Sequence, residues 1–181
     1  MKLFVTRHGQ SEYNIKELTC GISDAKLTAL GIEQARELAE KLKAEQEENQ
    51  IRHIFVSPLS RARITASCVE EALDLKAEVD ERLKECNFGI FEGQYYKDPD
   101  FNKLLFSPFA RFEGGESAVD VACRVYPFLK ELKERVHDEN TLLVCHGFLA
   151  RVLSSYFNSY SSVEEYRAVK WGNCEVKVFE L

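Results

Sequence analysis

The sequence predicts an α/β protein: a three-layer α/β/α sandwich around a central, mostly parallel sheet. Short continuous apolar runs, Leu3-Phe4-Val5, Ile54-Phe55-Val56 and Leu142-Leu143-Val144-Cys145, alternate with longer segments of helical period. Runs of that kind suit strands buried on both faces, the condition of a parallel sheet between helix layers. The chain has 181 residues, 45% of them hydrophobic, which suffices for one domain with a sizeable core. We read 1–181 as a single domain, with 88–116 as an aromatic-rich capping segment.

Leu3-Phe4-Val5 leads into Arg7-His8-Gly9, where the glycine permits a sharp bend and the strand delivers a histidine to its carboxyl end. Thr28 is placed to cap a helix whose apolar residues Ile32, Ala35, Leu38, Ala39 and Leu42 recur at steps of three and four. The run 45–50 reads as a short polar loop before the second strand. Ser57-Pro58 predicts a helix start, with Ser57 as cap and proline in the first helical position. Leu59, Ala62, Ala66, Val69 and Leu73 form its buried face, and Arg61 falls in the first turn, beside the positive end of the helix dipole. The stretch from Phe88 to Phe112 reads as irregular. Ser117 then opens a helix with Val121, Val125, Phe128, Leu129, Leu132 and Val136 on one stripe, and Pro127 is expected to bend it. His146-Gly147 follows the strand that ends at Cys145 and precedes a helix through Leu149, Val152 and Leu153. The alternation in 175–180 predicts a half-exposed edge strand. His8, Ser57 and His146 are therefore expected on one rim, at the carboxyl ends of strands, where ligands of such folds gather.

Charge and composition exclude several functions. Lys and Arg number 24 against 30 Asp and Glu, a net charge of −6, which disfavours nucleic acid and anionic membranes as partners. No apolar run is long enough to span a bilayer, and no signal-peptide pattern follows Met1, so the chain reads as soluble and cytoplasmic. The six cysteines contain no Cys-x-x-Cys pair, which argues against a zinc site or a disulfide framework; they read as reduced, small hydrophobes. Neither metal nor cofactor is called for, and oligomeric state is not readable.

Cleaving a phosphate monoester requires cationic groups around the phosphoryl oxygens, an in-line nucleophile and a proton for the departing oxygen. Arg7, His8, Arg61 and His146 come from separate segments whose ends are able to converge. On chemistry alone either histidine is a competent nucleophile, and adjacent guanidiniums favour the neutral imidazole that attack needs.

Thr6-Arg7-His8-Gly9, with Asn14 six residues after His8, resembles the signature of the histidine phosphatase superfamily, also called phosphoglycerate mutase-like. Further blocks follow in order: 21–31, 57–66, Leu83-Lys84-Glu85-Cys86-Asn87-Phe88-Gly89 continuing to Gly93, Gly114-Gly115-Glu116-Ser117, and Cys145-His146-Gly147. One such triplet is weak evidence, whereas six blocks in order are specific and span nearly the whole chain. The resemblance implies that His8 is the nucleophile that becomes phosphorylated, that Arg7 and Arg61 bind phosphoryl oxygens, that His146 stabilises the transition state and that Glu85 is the proton donor. It implies a phosphate contact for Asn14 and places Gln10, Cys20 and Gly21 on the leaving-group side. Gln10, Cys20 and Phe91 depart from residues common in relatives, which bears on substrate and not on phosphoryl chemistry.

Hydrolysis of a small-molecule phosphate monoester is the function these features favour. A cofactor-dependent phosphoglycerate mutase is the first alternative. It is disfavoured because the only basic residues between Glu85 and Gly114 are Lys97, Lys103 and Arg111. A catalytically silent phospho-ligand-binding module is the second, disfavoured because His8 and Glu85 are both present. Eight of the chain's twenty aromatics fall between Phe88 and Phe112, which suggests either a cap for a bulky or aromatic leaving group or ordinary packing of a flap.

Overall fold

The computed structural model describes residues 1–107 and 109–181; Pro108, inside the expected capping segment, lies outside the described residues. Strands β1 (Lys2–Arg7), β2 (Ile51–Val56), β3 (Ala77–Val79), β4 (Asn140–Cys145) and β5 (Val176–Glu180) form one sheet in the order β3-β2-β4-β1-β5. Pairings β1–β4, β2–β4 and β2–β3 are parallel, and β5 is an antiparallel edge beside β1. The helices are α1 (Glu12–Ile15), α2 (Ala29–Ala44), α3 (Gln46–Asn49), α4 (Ser60–Leu73), α5 (Pro99–Leu105), α6 (Ala118–Arg135), α7 (Gly147–Ser154) and α8 (Val163–Ala168). Among the described residues no helix is long and apolar enough to cross a membrane.

Alternation along the central strands explains why their sequences are apolar throughout. Leu3, Val5, Leu143 and Cys145 pack on one face with α6 and α7. Phe4, Leu142, Val144, Ile54 and Val56 pack on the other with α2 and α4. Because strand side chains point to opposite faces in turn, two-sided burial demands hydrophobes at consecutive positions. The three expected layers result.

Several local expectations change. The helix after β2 begins at Ser60 with Leu59 in the cap position, so Ser57 is not its cap and Pro58 is not its first residue. The Ser57 hydroxyl is engaged elsewhere, with His146, and Asp24 reaches from another segment to accept from the Ser60 amide (3.3 Å). The polar run after α2 forms the one-turn α3, ending at Gln50 in the left-handed conformation (φ 47°). The stretch 88–112 contains α5, opened by Asp98 as cap and Pro99 in its first turn. Ser117 does cap α6, in a capping box with Asp120, and the helix continues through Pro127 to Arg135.

At the end of β1 the chain turns against the first turn of α2. A Cβ on Gly9 would fall into the Gly31 carbonyl, and a Cβ on Gly31 into the Gln10 carbonyl. These two glycines let backbone approach backbone and bring the α2 start behind His8. Gly31→Ala is therefore expected to lower unfolding free energy by about 1–3 kcal/mol in denaturant titration. Glycine to alanine inside a helix ordinarily gains roughly 1 kcal/mol. A gain at this position would show that the contact is not tight.

Candidate active site

The parallel pairing of β1 and β4 sets Arg7 opposite Cys145, and the residue after each is a histidine. The His8 amide donates to the Cys145 carbonyl (3.1 Å), so the two imidazoles emerge side by side with ring centroids 5.2 Å apart. On the other flank of β4, the Ser57 amide donates to the Val144 carbonyl (3.1 Å), placing Ser57 on the same rim.

His8 is buried and its protonation is dictated by its neighbours. Nδ1 lies 2.7 Å from the Gly9 carbonyl, an acceptor only, so Nδ1 carries the hydrogen. Nε2 then presents a lone pair, which accepts from Arg61 Nε at 3.1 Å. Burial, then the charges of Arg61 and Arg7, hold the His8 pKa well below the ordinary imidazole value of 6.5. The ring is neutral, and its free lone pair faces a cationic group. His146 is fully buried, and burial followed by Arg61 lowers its pKa in the same direction. Its Nε2 lies 2.7 Å from Ser57 Oγ, which already accepts from the Leu59 amide (3.3 Å). A hydroxyl oxygen has two lone pairs, so Ser57 is able either to donate to Nε2 or to accept from it; His146 Nδ1 has no partner among the described residues.

Arg61, 0% exposed, is the central cation. Nη1 donates to the Ser23 carbonyl (2.8 Å) and Nη2 to the Gly21 carbonyl (2.6 Å), which fixes its plane. Arg7 is anchored by Nη1 to the Trp171 carbonyl (2.9 Å), while its Nε is buried without a partner among the described residues. Thr65 and Asn173 secure the strand end, accepting from the Gly9 amide (3.1 Å) and donating to the His8 carbonyl (2.8 Å) respectively.

Glu85 closes the site. One carboxylate oxygen accepts from the amides of Cys86 (2.9 Å) and Leu149 (2.8 Å), the other from Phe148 (2.9 Å). The carboxylate therefore sits on the amino terminus of α7, where free N–H groups favour it, and its second oxygen keeps a lone-pair site open. Arg124 holds the loop from below, donating to the carbonyls of Arg82 (2.6 Å) and Glu85 (3.1 Å).

Arg7, His8, Asn14, Cys20 and Glu85 line one cleft of about 450 Å³, with Arg61 and His146 directly behind His8. Asn14 Oδ1 accepts from the Ser11 amide (3.0 Å) and from Asn173 (3.4 Å), which leaves its amide nitrogen as the free donor. Burial pushes the Cys20 thiol up to about 11.

Residues 3–181 match the family described as histidine phosphatase superfamily (branch 1). The chain belongs to the histidine phosphatase superfamily. It is a phosphatase of that superfamily, similar to phosphoserine phosphatase 1 of Hydrogenobacter thermophilus, with 31% identity over 84% of this chain and 74% of that protein. A Proteus mirabilis protein provisionally named phosphoglycerate mutase GpmB is 30% identical over 97% of this chain and 83% of its own length. Among solved structures, a mycobacterial glucosyl-3-phosphoglycerate phosphatase superposes with a TM-score of 0.85 at 29% identity, covering 98% of this chain and 88% of that one.

Not every residue expected at this histidine phosphatase's cleft reaches its wall. Gln10 does not: its side-chain oxygen accepts from Thr28 Oγ1 (2.9 Å), tying it to the cap of α2. Gly21 stands behind the wall, its carbonyl spent on Arg61. Of the aromatic segment, Phe88, Phe101 and Phe112 are buried edge-on or stacked against one another, and only Phe88, Tyr96 and Phe101 face the cleft. Three contributors escaped sequence reasoning, and a fourth, Ser57, was expected on the rim but with another role. Ser57 was read as a helix cap. Glu92 accepts from the amides of Gly21, Ile22, Ser23 and Phe88, knotting the loop that holds Arg61 to the loop that follows Glu85. Trp171 and Arg151 form the far wall. Trp171, the chain's one tryptophan, beside Gly172 was the available signal.

The two depressed imidazoles make stability pH-dependent. Folded His8 and His146 bind protons less readily than the unfolded chain does, so their contribution is present above about pH 6.5 and is lost as pH falls below it. Unfolding free energy is expected to drop between about pH 7.5 and pH 5.5. In a His8→Asn/His146→Asn double variant that drop should shrink, as followed by denaturant titration at each pH. An unchanged slope would mean that neither ring is held neutral.

Proposed function

We propose that this histidine phosphatase hydrolyses a small-molecule phosphate monoester in two steps through a phosphohistidine on His8. The observation that carries the reading is the His8 ring: its Nδ1–H is tied to Gly9, and its Nε2 lone pair faces Arg61 inside a buried cationic pocket. The pocket supplies charge for a phosphoryl dianion, and the lone pair supplies the nucleophile.

In the first step the Nε2 lone pair attacks phosphorus, and the bond from phosphorus to the ester oxygen breaks. Glu85, in its protonated form, gives its proton to the leaving oxygen. Arg61, Arg7 and His146 Nδ1–H are the donors for the three equatorial oxygens as charge spreads over them. Arg61 stays anchored through Nη1 and Nη2, and its Nε hydrogen, which rests on His8 Nε2, passes to a phosphoryl oxygen as Nε2 bonds to phosphorus. In the second step the Glu85 carboxylate removes a proton from water, the hydroxide attacks phosphorus, and the N–P electrons return to Nε2. Phosphate leaves, and Glu85 is protonated again for the next cycle. The cleft that contains both His8 and Glu85 allows them to share one bound phosphoryl group.

Hydrolysis is favoured over mutase activity by the basic residues of the capping segment. Lys97 pairs with Glu17 and Arg111 with Asp120, while Lys103 is exposed, and none of the three lines the cleft.

A panel of phosphate monoesters, assayed by phosphate release, tests the reading. Wild type is expected to turn over with EDTA present and to leave an acid-labile phosphoryl group on rapid quenching. His8→Ala should abolish both, and Glu85→Gln should lower kcat by roughly 10²–10⁴-fold. Full turnover by His8→Ala would falsify the phosphohistidine route. Faster interconversion of 2- and 3-phosphoglycerate than hydrolysis, primed by the bisphosphate, would establish the mutase instead.

A further inference from the structure

Resting on the phosphatase reading, we infer that the leaving group of the substrate carries a carboxylate, received by Arg151 together with Trp171 Nε1 and Thr19 Oγ1. Buried side-chain polar atoms normally have partners, and exceptions call for an explanation. Five such atoms lack one among the described residues: Arg7 Nε, His146 Nδ1, Thr19 Oγ1, Arg151 Nη1 and Trp171 Nε1. The first two belong to the phosphoryl pocket. The other three lie on residues lining the same cleft and have no part in the phosphoryl chemistry. Thr19 is 3% and Trp171 5% exposed, so solvent does not satisfy them.

Arg151 is built as a rigid fork. Its Nε donates to the Val169 carbonyl (3.1 Å), and its guanidinium carbon lies 5.0 Å from the Phe106 ring centre and 5.8 Å from that of Tyr166. It forms no ion pair among the described residues, although a largely buried guanidinium ordinarily requires an anion. A planar fork held at Nε and flanked by two aromatic rings suits bidentate recognition of a carboxylate. Its place along α7 sets the distance to the chemistry. Gly147 lies against the Arg7 guanidinium, a Cβ there being 3.5 Å from Nε, and Arg151 is four residues on, one turn or about 6 Å along the axis. A carboxylate on the carbon next to the ester-bearing carbon spans that gap. Lys170, on the same wall, adds to the positive potential.

The test compares kcat/KM for O-phosphoserine and 3-phosphoglycerate with O-phosphoethanolamine and glycerol 3-phosphate, which lack the carboxylate, with p-nitrophenyl phosphate as a generic ester. Wild type is expected to prefer the carboxylated esters by about tenfold or more. In Arg151→Gln that preference should collapse, through KM more than kcat, with partial recovery in Arg151→Lys. Equal rates on both classes in wild type, a stronger preference for bisphosphorylated esters, or an Arg151→Gln loss uniform across all substrates would overturn the inference. If Arg151 variants do not fold, the wild-type ratio decides. If no ester at all is hydrolysed, the phosphatase reading has failed, and calorimetric binding of O-phosphoserine against O-phosphoethanolamine to the His8→Ala protein decides the carboxylate question alone.

Discussion

The site depends on one constraint: two guanidiniums and two imidazoles share a buried rim, so the imidazoles must stay neutral. Arg7 and Arg61 carry fixed charge, and a protonated ring between them would add a third cation in a poorly solvated place. For His8, burial and the charges of Arg61 and Arg7 enforce neutrality against the Gly9 carbonyl, which by accepting from Nδ1 favours the protonated ring. The Gly9 carbonyl, an acceptor only, sets the hydrogen of His8 on Nδ1, and the Ser57 hydroxyl lies against Nε2 of His146. The register of β1 with β4 sets those histidines 5.2 Å apart. Had the pairing slipped by one residue, the histidine following one strand would face the other side of the sheet.

The remainder of the local structure serves to hold those cations still. Arg61 spends Nη1 and Nη2 on two carbonyls of the 21–23 loop, so that loop must itself be fixed. Glu92 fixes it by collecting four backbone amides from two loops. A half-buried carboxylate that accepts four N–H bonds loses little by leaving water, since charged acceptors form the stronger hydrogen bonds. Glu85 is held similarly, by two amides of α7 and one of its own loop, so the proposed proton donor stands on a helix terminus. The groups proposed to bind the phosphoryl oxygens and to move the proton are therefore pinned by hydrogen bonds to the backbone, as precise positioning requires.

What the sequence disclosed follows from the range of the interactions involved. Apolar strands buried on both faces were legible because two-sided burial leaves an unbroken run, and the strand ends pointed to His8 and His146 directly. Thr28 and Ser117 were legible because a cap bonds to an amide three residues away. Ser57 misled for the same reason: a serine before proline looks like a cap, whereas its partner is 89 residues distant. β3 left no hydrophobic trace because its three residues are half-buried or exposed and pair only with β2. Asp98-Pro99 did carry a helix-start signal, hidden among the aromatics around it. Glu92 was visible as part of a family block but not as a knot, because its four amides are contributed by two loops joined only in space. Gln10 pointed the wrong way: its place beside His8 suggested the leaving group, and the cap of α2 claims it.

The basic groups on the far wall refine the contrast between hydrolase and mutase. Arg151 and Lys170 come from α7 and the segment before β5, outside the stretch where extra cations were sought. Gripping a carboxylate is common to both activities and does not separate them. A mutase must in addition keep a bisphosphate bound while it turns, presenting each phosphate in succession to His8, and that calls for cations able to hold a second dianion at the cleft mouth. The capping segment's lysine and arginine side chains are paired on the surface or exposed away from the cleft. Under the proposed mechanism, an alcohol gripped by one carboxylate fork and by no second cation departs once its ester bond breaks, which leaves the proposed phosphohistidine to water and makes hydrolysis the second step.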